Sequence, residues 1–260
     1  MRLYLQHLLE IFLSSESLSQ ADYEHAFQAI FSGTFNDAQI AALLASIRHK
    51  SDQTLSLIAG AKIMRSQAIK PSIPDKIREL LIDNCGTGGD GQNTFNIPPG
   101  SAIVAASLGA KLAKHGNRSV SSKCGSADLL YEAGYPSDLN ESQTSQLLIN
   151  KGFAFFFAPA FHPKMKSVMP IRRALGVRTV FNFLGPLVNP ILPKFQLVGV
   201  GHQSYHLPMA KALRELGIGR AAVVHSADGL DEISPAAPTK VYFIENESLT
   251  EYNIKPEDYI

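Results

Sequence analysis

The sequence predicts an α/β protein, with a small N-terminal helical domain followed by a larger α/β domain built on a mainly parallel central sheet. Three observations predict it. Apolar residues recur at helical spacing through roughly the first 70 positions. Beyond the proline-bearing linker KPSIPDK, short apolar segments alternate with helical ones. A glycine-rich turn, CGTGGD, then follows the first of those apolar segments, at the kind of strand end where open α/β sheets bind ligands.

MRLYLQHLLEIFLSS sets Leu5, Leu8, Leu9 and Phe12 on one face. Gln6, His7 and Glu10 interrupt the apolar run at helical spacing, so it reads as an amphipathic helix and not as a signal peptide. ADYEHAFQAIF, NDAQIAALLASIRHK with Asn36 as N-cap, and SDQTLSLIAGAKIMRSQA complete the helical part. Their small-residue faces suit packing on each other or on a second copy of the chain. LLIDNC, SAIVAASLGA, KLAKHG, TSQLLINKG and FAFFFAP open the alternating part. QLVGVG, HLPMAKALRELG and AAVVHSADG continue it, and TKVYFIENESLTEYNI reads as a hairpin turning at Asn246 to Ser248. The intervening HPKMKSVMPIRRALGVRTVFNFLGPLVNP is helical with proline and glycine breaks and is expected to rejoin the helical domain. The expected division is therefore residues 1–70 with about 163–190, against 75–162 with 191–260.

Composition narrows the function. With 45% hydrophobic and 18% charged residues, both signs interspersed and a net charge of +1, the chain offers no basic field for nucleic acid. The apolar run FAFFFAPAF is far shorter than the roughly 20 residues of a membrane helix. Cys85 and Cys124 have no second thiol nearby in sequence, which points to a reducing, cytoplasmic setting and away from a zinc or redox pair. Small-molecule ligands are the expectation.

Three clusters carry chemistry. Gly86, Gly88 and Gly89 of CGTGGD either bring backbone N–H groups to phosphate oxygens or simply form a tight turn. Neither the Gly-Lys-Ser/Thr of a P-loop nor a dinucleotide G-x-G-x-x-G is present. KHGNRSVSSKCGSAD gathers cations and hydroxyls from Lys114 to Ser126, as a loop holding phosphate oxygens would. VVHSADGLDEIS runs an apolar strand into Asp228, Asp231 and Glu232, whose oxygens suit Mg²⁺, although carboxylates in a turn are common.

In this order, GTGGDGQNTFNI, KHGNRSVSSKCGSAD, FAPAFHPKMKSVMPIRRALGVRTVFNFLGPLVNP and HSADGLDEIS resemble the anthranilate phosphoribosyltransferases of tryptophan biosynthesis, from about Asn36 to Tyr259. The resemblance implies the nucleoside phosphorylase-like phosphoribosyltransferase fold and a homodimer formed through the helical domain. It implies transfer of phosphoribosyl from 5-phosphoribosyl 1-pyrophosphate (PRPP) to anthranilate, the second step of tryptophan synthesis from chorismate. By position, it implies that Gly86, Gly89, Asp90, Thr94 and Asn96 contact PRPP. It also implies that the loop Lys114, His115, Gly116, Asn117, Arg118, Ser119, Ser121 and Ser122, with Ser126, grips the phosphates. Asp231 and Glu232 match Mg²⁺ ligands, and Gly86, Asn117 and Arg172 match residues at anthranilate. Catalysis would be electrostatic and positional, without a protein general base.

The chain departs from the family where its cradle reads Asn-Ile/Val-Ser-Thr, because Pro98 and Pro99 stand at the Ser and Thr positions. Proline suits the first turn of a helix. Each one nevertheless removes a hydroxyl and a backbone donor, and each lost charged hydrogen bond of about 1.5–3 kcal/mol weakens phosphate binding by about an order of magnitude. Ser101 is the nearest hydroxyl. Leu129 to Gly134 also departs, without touching an assigned ligand. The chain ends at Ile260, where family members continue for tens of residues with helices covering the sheet, so exposed apolar sheet surface is expected. Beside active transfer stand two other readings. One is an impaired or non-catalytic member binding a phosphorylated ligand or partner protein. The other is a pyrimidine nucleoside phosphorylase, which Asn117 and Arg172 argue against.

Overall fold

The computed structural model describes residues 2–14, 17–92, 94–119 and 124–259. Helices α1 (Arg2–Ser14), α2 (Gln20–Ser32), α3 (Asp37–Arg48) and α4 (Thr54–Ser66) form the N-terminal bundle. Reciprocal capping boxes start α2 (Ser19 with Asp22) and α3 (Asn36 with Gln39), satisfying backbone donors that a helix start leaves free. Leu8 and Phe12 of α1 are buried as their spacing requires, while the side chain of Leu5 lies outside the described residues. Helix α4 passes so close to Leu184 and Phe27 that a Cβ on Gly60 would stand 2.8 and 2.9 Å from their side chains.

Past the linker, α5 (Asp75–Arg78) leads into β1 (Leu81–Asn84), α6 (Ile97–Ser107), β2 (Lys111–Gly116), α7 (Ser126–Glu132), α8 (Glu141–Lys151) and β3 (Phe153–Phe157). Helices α9 (Ala158–Phe161) and α10 (Met165–Leu175) follow, then two 3-10 turns at Val180–Asn182 and Gly185–Leu187. This segment returns to the bundle: α10 packs on α2 and α3, and Phe181 meets the rings of Phe27 and Phe31 edge-on at 5.8 and 5.9 Å. The chain then re-enters the sheet as β4 (Phe195–Gly199), α11 (His206–Glu215), β5 (Arg220–Ser226), β6 (Thr239–Glu245) and β7 (Ser248–Ile254).

The seven strands lie in the order β3-β2-β1-β4-β5-β6-β7, parallel from β3 through β5 and antiparallel for the last two pairings. Strand β3 shows why both faces are covered. Ala154 and Phe156 pack with Leu148 of α8 on one side, and Phe155 packs with Leu130 of α7 on the other. The hairpin turn is shorter than expected: Asn246 and Glu247 alone connect the strands, at φ 49° and 66°, as a two-residue primed turn demands. Exposed large apolar side chains occur on the sheet at Tyr252 of β7 and also at Ile103 and Val104 of α6 and its C-cap Leu108. Among the described residues no helix is long and apolar enough to cross a membrane.

His206, at the start of α11, is buried with Nε2 2.8 Å from the Val223 carbonyl, and burial pushes its pKa down to about 4. Because the unfolded imidazole titrates near 6.5, the unfolded chain takes up a proton the folded one refuses, so stability present above pH 6.5 is lost as pH falls toward 4. Comparing urea unfolding of this chain with His206→Gln should show its advantage over the variant shrinking by up to about 2 kcal/mol between pH 8 and pH 5. A gap that does not move with pH contradicts a buried neutral imidazole.

Candidate functional site

The strand order reverses between β1 and β4, because β2 and β3 extend the sheet one way and β4 returns to pair on the other side of β1. At that point the chain leaves β1 through the glycine loop, with Gly88, Gly89 and Gly91 all at positive φ (66°, 76° and 77°). The loop is pinned to the end of β4, where Thr87 N donates to Gly199 O at 2.9 Å and Gly201 N donates to Thr87 Oγ1 at 2.9 Å. Gly88 N donates to Asp231 Oδ2 at 2.8 Å, which ties in the segment after β5. A Cβ on Gly86 would sit 2.8 Å from that same oxygen, so only glycine fits.

The second motif divides differently from its sequence reading. Lys114 and His115 are not in a loop but in the last turns of β2, whose ladder with β3 runs through to Gly116 and Phe157. Both are buried. The Lys114 ammonium donates to Asn84 O at 2.7 Å on the cavity wall. His115 Nδ1 lies 3.1 Å from Gly185 O, its Nε2 has no partner, and burial pushes its pKa down to about 3, so it is a neutral acceptor and not a phosphate-gripping cation. His162, whose ring centre is 5.4 Å away, is likewise pushed down to about 4 by burial. Asn117, Arg118 and Ser119 leave the strand along the cavity. Asp128 Oδ2 accepts from Ser119 N at 3.0 Å and Gly125 N at 2.9 Å, closing the loop at its base. Asn96 Nδ2 donates to Cys124 O at 2.9 Å, which joins the first motif to the second. Ser121, Ser122 and Lys123 lie outside the described residues.

Asp231 and Glu232 follow β5 into the same cavity. Burial, with repulsion among Asp231, Glu232 and nearby Asp90, raises both carboxyls above their ordinary range, Glu232 to about 8. No lysine or arginine stands within ion-pair distance of either among the described residues. A buried and a half-buried carboxylate short of positive charge fit Mg²⁺, a hard ion that takes one or two protein carboxylates and fills its shell with water and substrate phosphates. Among the described residues there is no cluster of three or more His, Cys, Asp or Glu that could hold a metal. Asp228 is exposed and accepts from Ser234 Oγ at 2.6 Å, away from the cavity lining.

The facing wall comes from α10 and the 3-10 turns. Arg172 sits over the Phe181 ring at 5.6 Å and has no carboxylate partner among the described residues. Met165, Met169 and Phe181 supply an apolar shelf around it. The cavity between the walls measures about 880 Å³. It gathers Gly86, Gly89, Asp90, Thr94, Asn96, Lys114, His115, Gly116, Asn117, Arg118, Ser119, Ser126, Arg172, Asp231 and Glu232, so that of the described residues that sequence singled out for ligands only Asp228 lies outside it. Sequence reading missed Arg178, whose guanidinium donates to the Gly89 carbonyl and bridges the walls, and it missed His162, Met165 and Met169. Its nearest signal was the density of arginines in PIRRALGVR.

Pro98 and Pro99 occupy the first turn of α6 behind Asn96, where they fit a helix start. Pro98 lines the cavity and Pro99 is buried. Ser101 does not replace the absent hydroxyls, since its Oγ accepts from Asn84 Nδ2 at 2.9 Å and donates to Pro98 O at 3.2 Å.

Residues 78–260 match the model of the glycosyl transferase family a/b domain, and residues 6–68 match that of the family's helical bundle domain. Anthranilate phosphoribosyltransferase of Hydrogenovibrio crunogenus is 45% identical over 255 residues, covering 98% of this chain and 74% of that protein. A Saccharomyces cerevisiae anthranilate phosphoribosyltransferase solved in complex with PRPP and Mg superposes with a TM-score of 0.88 at 30% identity, covering 99% of this chain and 74% of that one. The same yeast enzyme with 4-fluoroanthranilate gives a TM-score of 0.85 at 29% identity, covering 99% and 73%.

The glycine loop makes a direct prediction. In Gly89→Ala the new Cβ would stand 2.7 Å from Arg178 Nη2, whereas in Gly91→Ala it meets nothing within 4 Å, and both positions carry the left-handed backbone. Each variant should lose about 1–2 kcal/mol in urea unfolding. Only Gly89→Ala should also weaken pyrophosphate binding in the presence of Mg²⁺, measured by calorimetry. Equal binding losses would remove Arg178 from the account.

Proposed function

This chain belongs to the anthranilate phosphoribosyltransferase family, and we propose that its cavity transfers phosphoribosyl from PRPP to anthranilate, giving N-(5-phosphoribosyl)anthranilate and pyrophosphate in the second step of tryptophan synthesis from chorismate. One observation carries the reading. A single cavity holds both a glycine loop beside the Asp231 and Glu232 carboxylates and, on its facing wall, an arginine that has no carboxylate partner among the described residues and is set in a methionine and phenylalanine shelf. The first half suits a sugar pyrophosphate with its metal, and the second suits a flat aromatic acid. The ligands named for the yeast structures, PRPP with Mg and 4-fluoroanthranilate, support the same pairing.

In the reaction the anomeric C–O bond to pyrophosphate breaks and its electron pair leaves with pyrophosphate, while the aromatic amine forms the new C–N bond. The amine attacks as the neutral form and loses its proton afterwards to solvent, so no side chain need serve as a strong base. Gly86, Gly89, Asp90, Thr94 and Asn96 hold the sugar pyrophosphate. Lys114, His115, Gly116, Asn117, Arg118 and Ser119, with Ser126, surround its phosphates. Arg172 takes the anthranilate carboxylate in its fork while Gly86 and Asn117 border the ring. Asp231 and Glu232 hold Mg²⁺, which when bound supplies positive charge against the developing charge of the leaving group. The neutral imidazoles of His115 and His162 orient by accepting hydrogen bonds.

The helical part, residues 1–70 with about 163–190, is proposed as one domain and as the homodimer face. Residues 75–162 with 191–260 form the PRPP-binding domain. Exposed Leu13 on α1 and the packing of α10 on α2 and α3 support this division. Cys85 and Cys124 are not joined in a disulfide, which supports a cytoplasmic setting.

Anthranilate fluorescence should fall when protein, Mg²⁺, PRPP and anthranilate are mixed, and a flat trace would contradict the reading. Arg172→Ala should raise KM for anthranilate about tenfold or more and leave KM for PRPP within about twofold, because a charged, bidentate contact is lost on one substrate only. Arg172→Lys should recover little of it, since an ammonium cannot reproduce the fork. An unchanged anthranilate KM in Arg172→Ala would remove the arginine from the acceptor site.

A further inference from the structure

Asn84 is a polar side chain buried at the end of β1, and every polar atom it has is engaged. Its backbone carbonyl and its Oδ1 accept from Lys114 Nζ at 2.7 and 3.4 Å. Its Nδ2 donates to Pro98 O at 2.7 Å and Ser101 Oγ at 2.9 Å. Lys114 is 1% exposed and has no carboxylate within ion-pair distance among the described residues. Among the described residues Asn84 therefore supplies both acceptors of that ammonium, leaving one of its three N–H groups for a ligand. The first turn of α6, held by the other end of the same amide, contributes neither hydroxyl nor N–H at Pro98 and Pro99.

These contacts make the asparagine a direct connection between the buried Lys114 cation and a helix start whose two prolines offer no donors. We propose that Asn84 is a positioning residue that offsets the two prolines: it aims the Lys114 ammonium at the sugar pyrophosphate and holds the Pro98 carbonyl to itself. The inference rests on the cavity binding PRPP, as argued above. Lys114 is where the ligand makes contact, and Asn84 acts through it. A rim with hydroxyls at positions 98 and 99 would share the load, and the chain would then depend less on Asn84.

The test is calorimetric titration of PRPP with Mg²⁺ into the unaltered chain, Asn84→Ala, the Pro98→Ser/Pro99→Thr chain, and the combination of all three changes. Asn84→Ala should weaken binding about tenfold or more in the unaltered background, as expected for losing the aim of a charged donor. In the Ser-Thr background it should weaken binding by less than about threefold, because neighbouring groups that share a ligand are not additive. KM for anthranilate should stay within about twofold, a split that general damage to the fold would not give. If Asn84→Ala does not fold by circular dichroism, Asn84→Asp replaces it. That variant keeps the size but loses the two donors to Pro98 and Ser101, and it places a carboxylate on Lys114, so it should bind PRPP more weakly still. Unchanged PRPP binding in the folded variant, equal losses in both backgrounds, or a parallel rise in anthranilate KM would each overturn the proposal. A failure of the unaltered chain to bind PRPP would instead overturn the functional reading and this inference with it.

Discussion

The ends of β1 and β2 are held together by a buried carboxylate where their backbone ladder stops. Pairing between the two strands is confined to Leu81 with Lys111 and Ile82 with Leu112. Beyond it, Asp83 Oδ1 accepts from His115 N at 3.1 Å and Oδ2 accepts from Asn189 Nδ2 at 2.9 Å, while Asn189 also donates to Ala113 O at 2.7 Å. The side chain takes over from the ladder and ties the strand ends together. Where the ladder stops, the cavity opens as a gap lined by Lys114, Gly185, Pro186 and Val188, among others. Burial raises the Asp83 carboxyl to about 6, countered in part by Lys114 and the two donors, so the tie is held by hydrogen bonds as much as by charge. Removing it would leave a buried backbone N–H and one N–H of the buried Asn189 amide unpaired.

From that gap the rest of the site follows. The α/β part supplies glycine N–H groups, hydroxyls and carboxylates, and α10 supplies cations and apolar surface. The two come from opposite sides of the polypeptide's path and are joined across the cavity by Arg178 at the Gly89 carbonyl. A charged reaction centre is thus built from fixed dipoles and side chains, which is how electrostatic catalysis avoids reorganising water at the moment of bond breaking.

Local chemistry made much of this legible in the sequence. Asn36 announces the N-cap of α3, the glycines of CGTGGD announce a tight turn at a strand end, and the apolar run FAFFFAP announces an element of the alternating α/β part. What sequence did not reveal depends on contacts between distant positions. Lys114 and His115 read as loop because cations and hydroxyls crowd the motif, yet pairing with Phe155 and Phe156 of β3 keeps them in strand. Asn84 reads as an ordinary strand-end residue until α6 folds back and presents the Pro98 carbonyl to it. Met165 and Met169 have nothing local to mark them, since their place at the cavity is set by how α10 lies on α2 and α3.

The prolines at the cradle sharpen the chemical question, because they leave the fold intact while thinning the donors around a phosphate. The central claim is that this cavity couples departure of pyrophosphate to attack by an aromatic amine. Quantifying pyrophosphate and N-(5-phosphoribosyl)anthranilate in the same reaction tests it most directly. The account predicts equal amounts of the two at every time point and no pyrophosphate when anthranilate is omitted. Pyrophosphate released without anthranilate, or in excess of the coupled product, would mean that water and not the amine reaches the anomeric carbon, and would contradict it.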